Sequence, residues 1–282
     1  DTVTWVHGRH SFKVGADYRQ TTTTFGQADL EQSPQAYYYY ESPAQVLANT
    51  VYSFKSTNFG RQDPTFKNMS LFLQDEWRVQ PRLSLSLGLR WDLNPPPSVS
   101  GAPQYTYTGN INNPSTLALS KLGANLYATT YHDFAPRGGV AWVVHGNPGR
   151  ELVLRAGAGL FFDTDQQASF YTFGAGDGLG ASSIVSFSAS AKKSFPQNAS
   201  TILVPINTTP AAPYTLLYVS NPGLVPPSTI HWNVSMEQAL GSSQSVTIGY
   251  VGSQGRNLLT LREYSMSALT NNLFSTIEQY EN

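Results

Sequence analysis

Residues 68–97 read NMSLFLQDEWRVQPRLSLSLGLRWDLNPPP and carry the clearest pattern in the chain. From Leu83 to Leu93 every odd position holds leucine or tryptophan, and the even positions hold serine, glycine, arginine or aspartate. Side chains on a strand alternate between its faces, so this segment has one apolar and one polar face. The preceding segment keeps this parity, with Phe72 and Asp75 as exceptions, and residues 80–82 form a tight turn. The stretch predicts a long β-hairpin whose strands match the roughly 9–11 residues that cross a bilayer at a tilt.

The same pattern recurs along the chain and predicts four hairpins, at about 1–25, 68–95, 132–164 and 229–259. Each hairpin closes with a short turn, whereas long connections at about 26–67, 98–131 and 165–228 join one hairpin to the next. Short turns at one sheet end and long loops at the other are typical of outer-membrane barrels. The sequence therefore predicts an all-β fold, an antiparallel up-and-down transmembrane β-barrel segment of about eight strands, with residues 1–282 as one partial barrel domain.

Composition excludes several other classes of protein. The chain has 282 residues, a formal net charge of -1 and only 12% charged residues, about half of the usual fraction near 25%. No basic excess indicates nucleic-acid binding. There is no cysteine, which excludes a disulfide scaffold and a thiolate metal site. No apolar run reaches the roughly 18 residues of a transmembrane helix. Because the chain starts at Asp1, we expect an internal piece of a longer protein.

The sequence predicts which side chains face the lipid and which face the inside of the wall. We expect an outer apolar side that includes Leu85, Leu87, Leu89, Leu154, Leu160, Val234 and Ile248. We expect an aromatic girdle near the short turns from Trp5, Trp77, Trp142 and Trp232, the alternative being ordinary core tryptophans. Charged residues fall on the opposite, lumen-facing parity: Lys13, Asp17, Arg19, Glu76, Arg78, Arg90, Asp92, Arg137, Arg155, Asp163 and Glu237. They either contact a plug or solute path or form a cross-strand lattice of ion pairs, and the lattice is favoured for most.

The long connections are rich in aromatic residues, glycine and proline. The tyrosine run at 37–40 is either a stacking surface for a ligand or, as favoured, a strand with tyrosine on both faces. We expect a helical turn at 44–48, a loop hairpin at 183–190 and ordered coil at 198–227. Recognition usually lies on loops carried by a rigid scaffold. The candidate ligand-binding residues are therefore Tyr37, Tyr38, Tyr39, Tyr40, Tyr105, Tyr107, Phe170, Tyr171 and Phe173.

No catalytic or metal-binding pattern accompanies these loops. The five histidines are scattered and lack the spacing of a zinc site, and residues 163–165 lack the rest of a calcium loop. Asp75 and Glu76 fall on opposite faces of one strand, so they cannot work as an acid and base pair. We expect neither an enzyme, a metal site nor a cofactor.

Five blocks, in serial order, resemble a known family: GRHSFKVGADYR, LFLQDEWRVQPRLSLSLGLRWD, HDFAPRGGVAW, LVLRAGAGLFFD and STIHWNVSMEQALGSSQSVTIGYVGSQGRNLL. They resemble TonB-dependent receptors, most closely the Oar-like group with a carboxypeptidase-regulatory-like domain, and QDEWR with PRLSLSLGLRWD is the most specific part. The resemblance implies a 22-stranded outer-membrane barrel, an N-terminal plug and TonB-energised uptake of a large scarce nutrient such as a siderophore, cobalamin, glycan or peptide. The implied partners are outer-membrane lipid, the rest of the barrel and plug, the TonB complex and an extracellular solute.

The chain differs from that family in extent. It has about eight strands, no recognisable plug or TonB box, and no terminal aromatic assembly signal, so we expect a middle slice of the barrel. A second hypothesis is a soluble or surface β-sandwich that binds ligand with its loops, as carbohydrate-binding modules do. The two hypotheses differ in the apolar face, which a sandwich buries against a second sheet and a barrel exposes as a band about 25 Å tall.

Overall fold

A computed structural model of the chain describes residues 1–24, 35–101, 104–163, 182–187, 194–198, 205, 209–214, 216–266 and 272–281. Extended structure dominates these residues, and the single helix described is α1 (Pro43–Leu47). In chain order the strands are β1 (Thr2–His7), β2 (His10–Thr22), β3 (Gln35–Tyr39), β4 (Ser53–Phe59), β5 (Gln62–Gln80), β6 (Leu83–Leu93), β7 (Ser98–Gly101), β8 (Tyr107–Asn110), β9 (Asn113–Leu119), β10 (Asp133–His145), β11 (Leu152–Phe162), β12 (Ser182–Phe187), β13 (Leu217–Ser220), β14 (Ser228–Ala239), β15 (Ser245–Arg256), β16 (Thr260–Ser265) and β17 (Thr276–Glu281).

The long strands form one antiparallel sheet, which we call the wall. Its order is β1-β2-β5-β6-β10-β11-β14-β15, so each strand pairs with the next long strand along the chain. This is an up-and-down arrangement, and it confirms the predicted all-β antiparallel fold. The barrel is not closed within this chain. Strand β5 begins at Gln62, inside the segment expected to be loop, and its extra length pairs with β7 from Thr65 back to Gln62.

The register gives the wall two chemically different faces. Directly paired residues of neighbouring strands share a face, and Val14, Leu73, Leu89 and Pro136 follow one another across four strands. A second row joins Leu83, Trp142, Leu154, Met236 and Ile248. All seven side chains expected on the outer side lie on this same apolar face.

Nothing in the described part of the chain covers the apolar face. The exposed fractions are 52% for Leu73, 46% for Leu89, 54% for Val234 and 62% for Ile248. The inner face of a sandwich would bury such side chains, and a water-soluble monomer rarely exposes so large a contiguous apolar area. The exposed apolar face therefore contradicts the β-sandwich hypothesis.

The turns that close the hairpins contain few residues. Gly8, Gly149 and Gly241 have φ values of +58°, +76° and +77°, in the left-handed region that favours glycine. The turn between β5 and β6 has no glycine and instead places Pro81 and Arg82 between the strands. Register shifts between Arg78 and Gln80, and between Val143 and His145, show that two wall strands are irregular beside these turns.

The rest of the described chain forms three smaller sheets, in the segments expected as long loops and in residues 260–281 after the fourth hairpin. The strands β3, β4 and β12 form one antiparallel sheet, β8 and β9 form a hairpin, and β13, β17 and β16 form a third sheet in which β13 and β17 are parallel. The helix expected at 44–48 is present as α1. Two expectations were wrong, because β12 pairs with β4 rather than within its own loop, and β13 interrupts the coil expected at 198–227.

The most buried apolar cluster lies among these loop strands and not in the wall. Tyr107, Leu117, Leu217, Val219, Phe274 and Ile277 are each at most 4% exposed. The wall faces different solvents on its two sides and needs no second layer, whereas loops in water must bury their own apolar residues. The loop end is therefore a folded region with a core.

Candidate functional site: the polar face and the loop end

The charged residues predicted to face the inside of the wall share one face. Asp17, Ser70, Asp92 and Asp133 follow one another across four strands, and Arg155 pairs with Ser235 on β14. The other members of the predicted set have the same parity. Whether this polar face surrounds a plug or a solute path stays a prediction.

Most of the described contacts on the polar face join side chains of the wall to one another. Arg90 Nε lies 2.8 Å from Asp92 Oδ1, and Arg155 Nη1 lies 2.9 Å from Glu237 Oε2. Glu76 Oε1 accepts hydrogen bonds from Ser86 Oγ at 2.7 Å and from a neighbouring glutamine amide at 2.8 Å. The Arg155–Glu237 and Ser86–Glu76 contacts cross between strands, whereas the other two join residues two apart on one strand. The cross-strand lattice that the sequence favours for most of these charges stays a prediction.

Two aromatic residues interrupt the polar face. A Cβ added to Gly15 would stand 2.4 Å from the ring of Phe72, so Phe72 occupies the space that a larger residue at position 15 would need. The guanidinium carbon of Arg137 lies 4.3 Å from the centroid of the Phe161 ring. The Phe161 ring contacts the His231 ring edge-on, with the two ring centroids 5.3 Å apart. Sequence parity alone missed this cluster, because its members come from three different strands.

Asp75, the second residue that breaks the alternation of β5, lies on the apolar face and contacts His10. Its Oδ2 atom is 2.7 Å from His10 Nδ1, and the register places it between Phe12 and Leu87. The His10 ring stacks on Phe12 and Trp77 at centroid distances of 5.4 and 5.2 Å. A charged residue in the apolar band therefore lies against a histidine within a row of stacked rings.

The rings beside the short turns form a collar on the apolar face. Trp5 stacks on His7 and on Phe12, at 5.4 and 5.6 Å, and so extends the row that contains His10. Trp5 and Trp142 are 60% and 47% exposed, which contradicts the alternative of core tryptophans for both. Including Trp232 in the girdle was wrong, because it lies in the middle of β14 with its indole over Gly252.

The tyrosine run at 37–40 forms a strand with different roles on its two faces. Tyr37 and Tyr39 stack on each other at 6.5 Å and remain 42% and 48% exposed. Tyr38 packs on the opposite side against Phe54 and Phe195, at 5.0 and 5.2 Å. The Tyr40 hydroxyl donates a hydrogen bond to Asn49 Oδ1 at 3.0 Å.

The remaining loop candidates separate into three groups. Tyr107 is only 4% exposed, its hydroxyl donates to Gln279 Oε1, and burial raises the pKa of Tyr107 to about 12. A tyrosine in this position packs the core and offers no ring to a solute. Tyr105 is half-buried beside it. Phe170, Tyr171 and Phe173 lie outside the described residues.

The described ranges hold no group of three or more histidine, aspartate or glutamate residues that could bind a metal ion. Within the same ranges, no helix has both the length and the apolar character that crossing a membrane requires. An open cleft of 550 Å³ does lie beside α1, lined by Tyr40, Val46, Leu47 and the residues between them in the loop.

Comparison with known proteins places the wall in a family. The family model described as an outer membrane beta barrel domain matches residues 1–280. The chain belongs to this family. The outer-membrane barrel domain is accordingly a protein of the outer membrane, and its exposed apolar face is the surface that meets lipid.

Solved structures similar to this barrel domain include two receptors. The siderophore receptor PirA from Pseudomonas aeruginosa is 10% identical, with 97% of this chain and 38% of that chain covered and a TM-score of 0.39. The ferric enterobactin receptor PfeA is also 10% identical, with 96% and 32% covered and a TM-score of 0.40. The barrel domain thus spans less than two fifths of either receptor's length. No match is found among curated proteins.

Proposed function

We propose that this barrel domain is a wall segment of a TonB-dependent receptor that takes up a large scarce nutrient, such as a siderophore, glycan or peptide. The observation that supports this proposal is the structure of the wall. One face is exposed and apolar, and the other carries paired charges. A solute path through a membrane needs this separation, because apolar side chains must meet lipid while polar ones meet water. The resemblance of the QDEWR and PRLSLSLGLRWD blocks to Oar-like receptors supports the specific family.

The partners follow from the same proposal. The polar face would meet the plug and the remaining strands of the parent barrel, and the parent would connect to the TonB complex. No catalytic role is proposed. Two ion pairs on the polar face, Arg90–Asp92 and Arg155–Glu237, join wall residues to each other, so we assign the wall the role of a polar lining and assign ligand choice to the loop end.

Within the loop end, Tyr37 and Tyr39 are the best candidates for solute contact. They are the two exposed residues of the tyrosine run, whereas Tyr38 and Tyr40 are half-buried. Two stacked tyrosine rings offer a large flat area at low conformational cost. We therefore narrow the candidate surface to the Tyr37–Tyr39 face and the open cleft beside α1.

Uptake by the parent protein tests this proposal. Tyr37→Ser with Tyr39→Ser should reduce uptake of the cargo, while the parent still reaches the outer membrane. Tyr131→Ser is the matched control, because Tyr131 is 60% exposed in a different loop and should tolerate the same change. Unchanged uptake in the double variant would place the binding surface elsewhere. Uptake by the wild-type parent that continues without the TonB complex would contradict energised transport.

A further inference from the structure

The short turns concentrate positive charge at one end of the wall. We call residues 7–10, 79–82, 145–151 and 239–244 the short-turn rim. It contains Arg9, Arg82 and Arg150 against one acidic residue, Glu151, although the whole chain has a net charge of -1. One arginine thus marks each of the first three turns. A rim of this sign favours an anionic partner.

Arg9 and Arg82 are held by contacts with neighbouring turns, and none of the three arginines is neutralised by an acidic partner in the described part of the chain. Arg9 Nη1 donates to the carbonyl oxygen of Val79 at 2.8 Å, which ties the first turn to the second hairpin. The Arg82 guanidinium lies over Gly146 of the next turn, with three of its atoms 3.3–3.5 Å from where a Cβ would stand. None of the ion pairs among the described residues involves these three arginines. Their charge is available to a ligand.

A cleft between the third and fourth turns opens beside the third arginine. It has a volume of 550 Å³ and is lined by Arg150, His145, Gln238 and the two turns. Gln238 has the same parity as Val234 and Met236, so the cleft lies on the membrane-facing side of the turns. The amide of Gln238 already donates to the carbonyls of Glu151 and Ala239, which leaves Arg150 as the cationic lining.

The aromatic collar fixes the depth of these arginines. The stacked row of Trp5, Phe12, His10 and Trp77 lies within a few residues of Arg9 and Arg82. Aromatic residues collect where a bilayer meets water, at the level of the lipid headgroups. The arginines lie in the turns, beyond the rings and closer to water. This depth places them beside the headgroup phosphates.

We propose that the short-turn rim binds anionic phospholipid headgroups of the leaflet that the short turns enter, with Arg9, Arg82 and Arg150 donating to phosphate oxygens. Arginine presents a planar set of donors that matches phosphate. The cations are spread one per turn, and neighbouring hairpins are about 10 Å apart in the sheet, so they suit separate lipids better than one acidic protein segment. The membrane-side position of the cleft favours the same occupant. This inference goes beyond uptake and depends only on the location of the barrel in the membrane.

The test compares lipids around the purified full-length parent. Phosphatidylglycerol with brominated acyl chains is exchanged against phosphatidylcholine, and quenching of tryptophan fluorescence gives their relative binding constants. The rim variant combines Arg9→Gln, Arg82→Gln and Arg150→Gln. The control combines Arg61→Gln, Arg256→Gln and Arg262→Gln, which removes the same charge from strand ends away from the short turns. Circular dichroism verifies that each barrel is folded.

We expect the wild-type parent and the control to prefer phosphatidylglycerol, with a preference that weakens as salt is raised. Because each arginine serves a separate lipid, the rim variant should lose roughly 5-fold of this preference at each site. Equal affinity of the wild type for both lipids, or an unchanged preference in the rim variant, would overturn the proposal. If the wild type shows no lipid preference but binds an acidic polypeptide through the rim, the partner is a protein instead. A parent that binds phosphatidylglycerol but takes up no cargo would refute only the proposed transport.

Discussion

The pair of His10 and Asp75 gives the sharpest prediction for the wall. Asp75 lies on the apolar face with its side chain 17% exposed, and its Oδ1 atom has no hydrogen-bond partner. His10 Nδ1, at 2.7 Å, is thus the group that compensates this carboxylate. Replacing His10 with phenylalanine preserves a ring for the stack on Phe12 and Trp77 but removes the nitrogen.

The expected cost follows from the geometry. Removing one partner of a fully buried ion pair costs about 3–5 kcal/mol, and the remaining exposure of both side chains lowers this to roughly 2–3 kcal/mol for His10→Phe. His10→Ala should cost more, because each lost ring contact adds about 0.5–1.5 kcal/mol. The double variant His10→Phe with Asp75→Leu should be at least as stable as wild type, since it removes the carboxylate together with its partner from the apolar band.

Urea unfolding of the parent in lipid vesicles measures these differences as a double-mutant cycle. We expect Asp75→Leu to restore the stability that is lost in His10→Phe. If the two substitutions add without rescue, or if His10→Phe is neutral, then the carboxylate is hydrated rather than held in the apolar band, and the assignment of this face to lipid near the short turns is wrong.

Three further predictions concern other parts of the chain. Leu87→Arg should destabilise the parent in lipid by about 2–4 kcal/mol, while Ser86→Arg on the opposite face should cost far less; equal costs in unfolding titrations would reverse the two faces. Gly15→Val should destabilise the barrel because a Cβ at position 15 stands 2.4 Å from the Phe72 ring and 2.7 Å from the carbonyl oxygen of Asp1, and Phe72→Ala should restore the part of the loss that comes from the ring; a Gly15→Val barrel that melts like wild type would show that both neighbours move aside. Tyr107, with its pKa raised to about 12, should stay neutral in the folded protein as pH rises past 10, and the loop core should lose stability from about pH 10, where an unfolded tyrosine ionises, to about pH 12, so phenolate absorbance should appear with loss of the loop fold; ionisation near pH 10 without unfolding would place Tyr107 in water.

The wall could be predicted from sequence because its information is local. A period of two over a strand fixes both faces, and the turn residues fix where each strand ends. The hairpin of β5 and β6 follows from these rules alone. The extra length of β5 could not be predicted, because residues 62–65 pair with β7, a strand beyond the next turn.

The loop end was mispredicted because its pairings are not local. The parallel pairing of β13 with β17 joins segments that are far apart in the chain, and no turn signal specifies it. Tyr107 looked like an exposed loop aromatic until Gln279 and the core of β13 and β17 were found around it. The partner of Asp75 was missed for the same reason, since His10 belongs to another hairpin.

Spin-label scanning of β6 in the membrane tests directly whether the apolar face of the wall meets lipid. The chain has no cysteine, so single cysteines at positions 83–93 can carry a nitroxide whose contact with oxygen in lipid and with a water-soluble nickel complex is measured. We expect a period of two, with labels at positions 85, 87 and 89 open to oxygen and labels at the even positions between them shielded from lipid. Oxygen contact without alternation, or odd positions that are closed to lipid, would contradict a membrane wall with its apolar face outward.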